Sequence, residues 1–99
     1  MLWRHGDVLI ASIEKIPEGA IRRPTNVLVR GEMTGHSHRI EQAETAVTFE
    51  HNGQLFLKVT ASEAKLIHEE HKTITLPYGV YRVWQQREYI PGSIRKVID

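Results

Sequence analysis

Asn52-Gly53 lies between two segments, Thr45 to His51 and Gln54 to Thr60, that alternate apolar and polar residues. Asn-Gly is the preferred pair for a two-residue type I′ turn, which needs positive φ at both turn positions. Val47 and Phe49 share one face of the first segment, and Leu55, Leu57 and Val59 share one face of the second. A period of two gives each strand one buried face and one wetter face. This hairpin sets a β reading for the whole chain.

The remaining pattern extends that reading. Asp7 to Ile13, Asn26 to Arg30, His36 to Glu41 and Lys72 to Leu76 read as short strands, and Val80 to Tyr89 as a long one rich in aromatic and β-branched residues. Ile16-Pro17-Glu18-Gly19 and Pro77-Tyr78-Gly79 read as turns, Ala20 to Thr25 as an exposed loop, and Gly31 as a bend or bulge. Ala61 to His71 has two readings: a short helix capped by Ser62, or a strand that continues into a polar turn. Ile90-Pro91-Gly92 ends the last strand, leaving 91–99 as a loosely attached tail. The expected fold is all-β: a single small antiparallel β-barrel or sandwich over residues 1–99, with room for one short helix.

Composition narrows the function classes. The chain has 99 residues, 40% hydrophobic and 25% charged, as in an ordinary globular domain. It has no cysteine, which excludes disulfides and thiolate metal sites. No apolar run reaches the roughly 20 residues a membrane helix needs, and the opening Met1-Leu2-Trp3-Arg4-His5-Gly6-Asp7 carries no apolar leader. A cytoplasmic protein without membrane contact is therefore expected. The net charge of +1 disfavours long-range attraction to nucleic acid. Asp7 and Asp99 are the only aspartates, a poor supply for a two-metal phosphoesterase. No serine lies in G-x-S-x-G, and no phosphate-cradling glycine motif is present.

The six histidines carry the chemistry. His36-Ser37-His38 places two imidazoles on one face of a strand, with Ser37 on the other. Neutral imidazole binds Zn, Fe or Ni well, so His36 and His38 are the first candidate ligands. His68-Glu69-Glu70-His71 differs from the zincin H-E-x-x-H motif, whose histidines are four apart. At a spacing of three, His68 and His71 converge in a helix or tight turn and diverge in an extended strand. Glu69, Glu70 and His71 are candidate acid–base groups, Glu41 is a further candidate ligand, and His5 is a candidate outer partner. His51, beside the Asn-Gly turn, is expected to be exposed. If the two clusters line one cavity, three or more imidazoles become available, and three protein ligands with an open position is the pattern of a catalytic metal site.

These motifs resemble those of the cupins, small β-barrels that often bind metal. The first cupin motif carries Gly, H-x-H, Glu three or four residues on, and Gly. Gly35-His36-Ser37-His38 supplies its first part; Gln42 and Ala43 stand where the Glu falls, Glu41 and Glu44 each miss by one, and Gly53 lies well downstream. The second motif, P-x-G-x-x-H followed by Asn, resembles Pro77-Tyr78-Gly79-Val80-Tyr81-Arg82, with Arg82 in place of the third histidine and Gln86 in place of Asn. The resemblance covers about half the chain. It implies a β-barrel with a pocket near His36 and His38, in which His68 or His71 substitutes for the missing histidine. The chain is also similar to a small bacterial or bacteriophage protein type with H-G-D-V-L-I, G-H-S-H-R, H-E-E-H and Q-R-E-Y.

The leading expectation is a histidine-rich pocket that binds a divalent transition metal (Zn, Fe, Ni or Mn) through His36, His38, His68 and His71 and acts on a small-molecule substrate. A second reading is an interaction module on the Tyr81–Tyr89 strand. There Arg82, Trp84, Arg87 and Tyr89 would meet a protein or single-stranded nucleic acid, the latter disfavoured by charge. A third is metal-free acid–base cleavage of a phosphodiester by histidines. Exposed strand edges make a homodimer plausible.

Overall fold

The structure, a computed structural model, describes residues 1–31 and 35–86. An eight-stranded antiparallel sheet curls into a half-barrel, as the expected all-β class requires. The strands are β1 (Leu2–His5), β2 (Val8–Ser12), β3 (Ile21–Arg22), β4 (Val27–Arg30), β5 (Ser37–Ile40), β6 (Ala46–His51), β7 (Gln54–His68) and β8 (His71–Gln85). The order along the sheet is β1-β2-β8-β7-β5-β4, with β6 also on β7 and β3 on β6. The only helical turn among the described residues is a 3-10 turn at Ala43–Thr45. No helix among them is long and apolar enough to cross a membrane.

The β7–β8 ribbon organises everything else. Its first half pairs Leu55 with Val83 and Val59 with Gly79, and its second half pairs Glu63 with Pro77 and His68 with His71. Between Val59↔Gly79 and Glu63↔Pro77, Thr60, Ala61 and Ser62 face the single residue Tyr78. Surplus residues on one strand bend it and increase its twist. Gly79, at φ +151°, takes a backbone conformation that L side chains rarely adopt. The Pro77-Tyr78-Gly79 turn expected from sequence is therefore a kink inside one continuous strand. Pro77 sits at the irregularity, where a missing N–H donor is tolerated.

The Ala61–His71 segment takes the strand alternative. Ala64 and Leu66 point into the core while Glu63 and Lys65 face solvent, a period of two that overrides the local helix propensity. Three further expectations are corrected. Asp7, expected to open a strand, lies instead in the two-residue Gly6-Asp7 turn that joins β1 to β2. Ile21 and Arg22, expected in a loop, pair with Glu50 and Phe49. The bulge near Gly31 falls instead at Leu28, between Val27↔Arg39 and Val29↔His38.

The bend brings both halves of the ribbon onto one core. Leu57, Val59, Tyr81 and Val83 from the first half join Ala64, Leu66 and Leu76 from the second, with Val8 and Ile10 of β2 and Ile40 of β5. Each buried Val, Leu or Ile contributes about 1.5–3 kcal/mol. Trp3 meets Tyr81 edge-on at 5.4 Å, and the Tyr81 hydroxyl donates to the Pro77 carbonyl across the kink. This packing carries the tip of the ribbon, with His68 and His71, over to β1 and β5.

Candidate metal centre

His68 and His71 face each other across the two-residue Glu69-Glu70 turn, so their spacing of three brings them together. Their ring centroids are 4.6 Å apart. β5 supplies His38, whose ring lies 4.4 Å from His68 and 5.4 Å from His71, nearly parallel to the latter. One ligand nitrogen from each of His38, His68 and His71 lies within 4.8 Å of the others. Three consecutive strands of the sheet, β8, β7 and β5, thus contribute one imidazole each. Burial is graded: His38 is buried, His68 half-buried and His71 exposed.

His36 joins a different set. Its ring is 5.7 Å from His68, and His36, His68 and Glu69 form a second group within 4.8 Å. Among the described residues, no donor set of three or more contains both His36 and His38. His68 is common to both sets. The histidines open onto a pocket of about 290 Å³ lined also by Asp7, Arg30, Glu70 and Gln85. Gly31 packs close to both side chains: a Cβ there would lie 3.1 Å from His36 Cβ and 3.3 Å from His68 Nε2, tighter than most real contacts.

The two glutamates differ. Glu69 accepts from the Ser37 N–H at 3.2 Å and pairs with Arg39 at 3.0 Å. Backbone hydrogen bonding, its own amide first, and Arg39 hold its carboxyl below the ordinary value. Glu69 thus ties the tip to β5. Glu70 lines the pocket, with Oε2 3.5 Å from His36 Nδ1. Its backbone N–H donates to His68 Nδ1 at 3.0 Å. Glu41 lines a different pocket.

His5 is 2% exposed and lies behind His38. Its Nδ1 is 2.9 Å from His38 Nδ1 and its Nε2 2.9 Å from the Lys72 carbonyl. Burial pushes the His5 ring below its ordinary pKa, assisted by His71 and His68. Burial, then His68 and His5, pushes His38 down to about 4. Burial and His71 also lower His68. His5, His38 and His68 are thus biased toward the neutral ring, the form in which imidazole binds metal.

Five of the six histidines converge, and His51 stays apart at the other end of β7. Sequence reasoning missed Asp7 and Gln85. The available signal was the Gly6-Asp7 pair after His5, a two-residue hairpin turn that brings His5 opposite Val8. Of the residues assigned to an interaction face, Arg82 lies 5.1 Å over the Trp84 ring, both half-buried, and neither lines the histidine pocket. Tyr81 is in the core. Arg87 and Tyr89 lie outside the described residues.

No curated protein and no solved structure matches the chain. Residues 4–86, which include all five clustered histidines, match the family model described as "Domain of unknown function (DUF8820)", and the chain belongs to that family.

Proposed function

We propose that this protein is a histidine-ligated metal protein in which His38, His68 and His71 hold one divalent transition ion at the base of an open pocket. The observation that carries this reading is the set of three imidazoles, one from each of β5, β7 and β8, with ligand nitrogens within 4.8 Å of one another. Zn, Fe, Ni and Mn are the candidate ions, and the absence of cysteine favours metals that accept nitrogen and oxygen donors. Three protein ligands leave a position for water or a small-molecule substrate. Held by His38, His68 and His71, such an ion would supply Lewis-acid chemistry, activating a water or a substrate oxygen. Glu70, in the same pocket, is the carboxylate placed to take up the proton.

Loading has a structural signature. A neutral His68 ring that accepts from the Glu70 N–H carries its own proton on Nε2. Binding an ion through either ring nitrogen gives up that hydrogen bond, so the Glu70 amide resonance shifts when metal is added. The primary test is elemental analysis of untagged protein purified without chelator. About one Zn, Fe, Ni or Mn per chain, lost in His38→Ala, is the expected result. Absence of metal, with no uptake of added Zn²⁺, Fe²⁺, Ni²⁺ or Mn²⁺, would overturn the proposal and leave the imidazoles as metal-free acid–base groups.

A further inference from the structure

Three acceptors and two ring protons define how the buried end of the centre is wired. The Lys72 carbonyl can only accept, so His5 Nε2, 2.9 Å away, carries a proton. His5 is 2% exposed, and a buried imidazole favours the neutral form. Its Nδ1 is then a bare lone pair. His38 Nδ1, 2.9 Å from it, must supply the donor. A neutral His38 has one ring proton, so its Nε2 is bare as well.

That bare nitrogen faces Asp7. His38 Nε2 and Asp7 Oδ1 are 3.8 Å apart. The carboxylate is fixed from behind: its Oδ2 accepts from Gln85 Nε2 at 2.6 Å, and the Asp7 carbonyl accepts from the Gln86 N–H at 2.7 Å. A bare ring nitrogen and a carboxylate oxygen at this distance repel unless a cation or a donating water lies between them, and with His68 and His71 beside His38 a metal ion is the occupant that uses all of these donors. Metal bonds of about 2.0–2.2 Å to N and O can together span such a gap.

We infer that Asp7 is a carboxylate ligand of the metal centre and that His5 is its positioning residue, locking His38 in the tautomer whose Nε2 lone pair faces Asp7. This rests on the metal-centre reading above and adds a ligand and a wiring that the three-imidazole set does not contain. A run of hydrogen bonds from the Lys72 carbonyl through His5 to His38 sets one side of the ion, and Gln85 sets the other through Asp7. Outer partners of this kind commonly tune metal affinity 10- to 100-fold.

The test combines two measurements on the full chain. Long-range ¹H–¹⁵N NMR of metal-free protein at pH 7 reads the proton on each ring nitrogen. The expected result is protonated Nδ1 and bare Nε2 on His38, with the reverse on His5; a proton on His38 Nε2 would overturn the inference. Zn²⁺ titration then compares wild type with Asp7→Asn, which keeps the turn shape and removes the charge. A loss of affinity of about 10-fold or more is expected. Equal affinity in a variant that melts like wild type would overturn it. His5→Gln offers an oxygen to His38 Nδ1–H and an N–H to Lys72, and is expected to retain affinity that His5→Phe loses. Equal loss in both would reduce His5 to packing. Wild type that takes up no Zn²⁺ would defeat the metal-centre reading itself, a result distinct from wild-type binding that Asp7→Asn leaves intact.

Discussion

Strand β7 begins at one two-residue turn and ends at another, and both turns carry histidine. At its start His51 and Gln54 flank Asn52-Gly53; at its end His68 and His71 flank Glu69-Glu70. Both turns place their flanking residues opposite each other. At the first end, His51 Nε2 meets the Asn52 amide at 3.3 Å, and its ring lies near Gly19. At the second, His68 lies within 6.4 Å of four other imidazoles. The difference comes from the bend between the two ends. Thr60–Ser62 and Gly79 turn the far half of the ribbon back over the core, to β5 and β1. A histidine at a hairpin end acquires neighbours according to where the ribbon goes, which the turn itself does not determine.

The widest contrast compares the same substitution at the two ends and behind one of them. His38→Ala is expected to reduce Zn²⁺ affinity by about 1,000-fold or more, because it removes the buried ligand and leaves His5 Nδ1 without a donor. His51→Ala is expected to leave affinity within about twofold. Isothermal titration of both variants checks the pair, and a loss in His51→Ala comparable to that in His38→Ala would erase the contrast between the ends.

Protonation tests the same contrast without mutation. The folded pKa values of His5, His38 and His68 are all lowered, so between the folded and unfolded values the unfolded chain binds more protons. Stability of the metal-free protein is then full above about pH 6.5 and falls as pH drops through 4. For His38 alone, a shift from 6.5 to about 4 corresponds to a loss on the order of 3 kcal/mol. Urea unfolding at pH 7.5, 6 and 4.5 reads this directly. His38→Ala is expected to flatten the dependence and His51→Ala to leave it unchanged.

How much of this was legible in the sequence follows from range. The Asn52-Gly53 hairpin was readable because turn chemistry and period-two patterning are local. The strand alternative for Ala61 to His71 was one of two stated outcomes, and the choice between them depended on whether Ala64 and Leu66 found a core. That core is assembled from strands 50 and more residues apart in the chain, such as Val8 and Ile10 with Leu66 and Leu76. The Pro77–Gly79 kink was misread as a turn because proline and glycine mark both features, and only pairing partners tell them apart. The Gly6-Asp7 turn was a local signal, but the partners that make Asp7 a site residue, Gln85 and His38, come from strands far along the chain.

Glycine separates site geometry from backbone cost. Gly6 and Gly53 both have positive φ, +64° and +77°, so alanine at either costs about 1–2 kcal/mol. A Cβ on Gly6 would lie 2.6 Å from His71 Nε2, closer than real Cβ contacts allow. The exposed His71 ring can swing away, but only by leaving its place beside His38 and His68. Gly6→Ala is therefore expected to reduce Zn²⁺ affinity about 10-fold in addition to its stability cost. A titration showing wild-type affinity would mean that His71 is not a ligand.

Gly53→Ala is the smallest and most discriminating change. Nothing lies within 4 Å of the position its Cβ would take. Its whole cost is the conformational penalty of an alanine in the left-handed region, about 1 kcal/mol at the low end, or a fall in Tm of about 4–8 °C for a domain this size. Zn²⁺ affinity is expected to stay within about twofold of wild type. If Gly53→Ala weakened binding as much as Gly6→Ala, strain at the Asn52-Gly53 turn would be travelling the length of β7, and the kink at Gly79 would couple the two ends of the ribbon where the present geometry has it separate them.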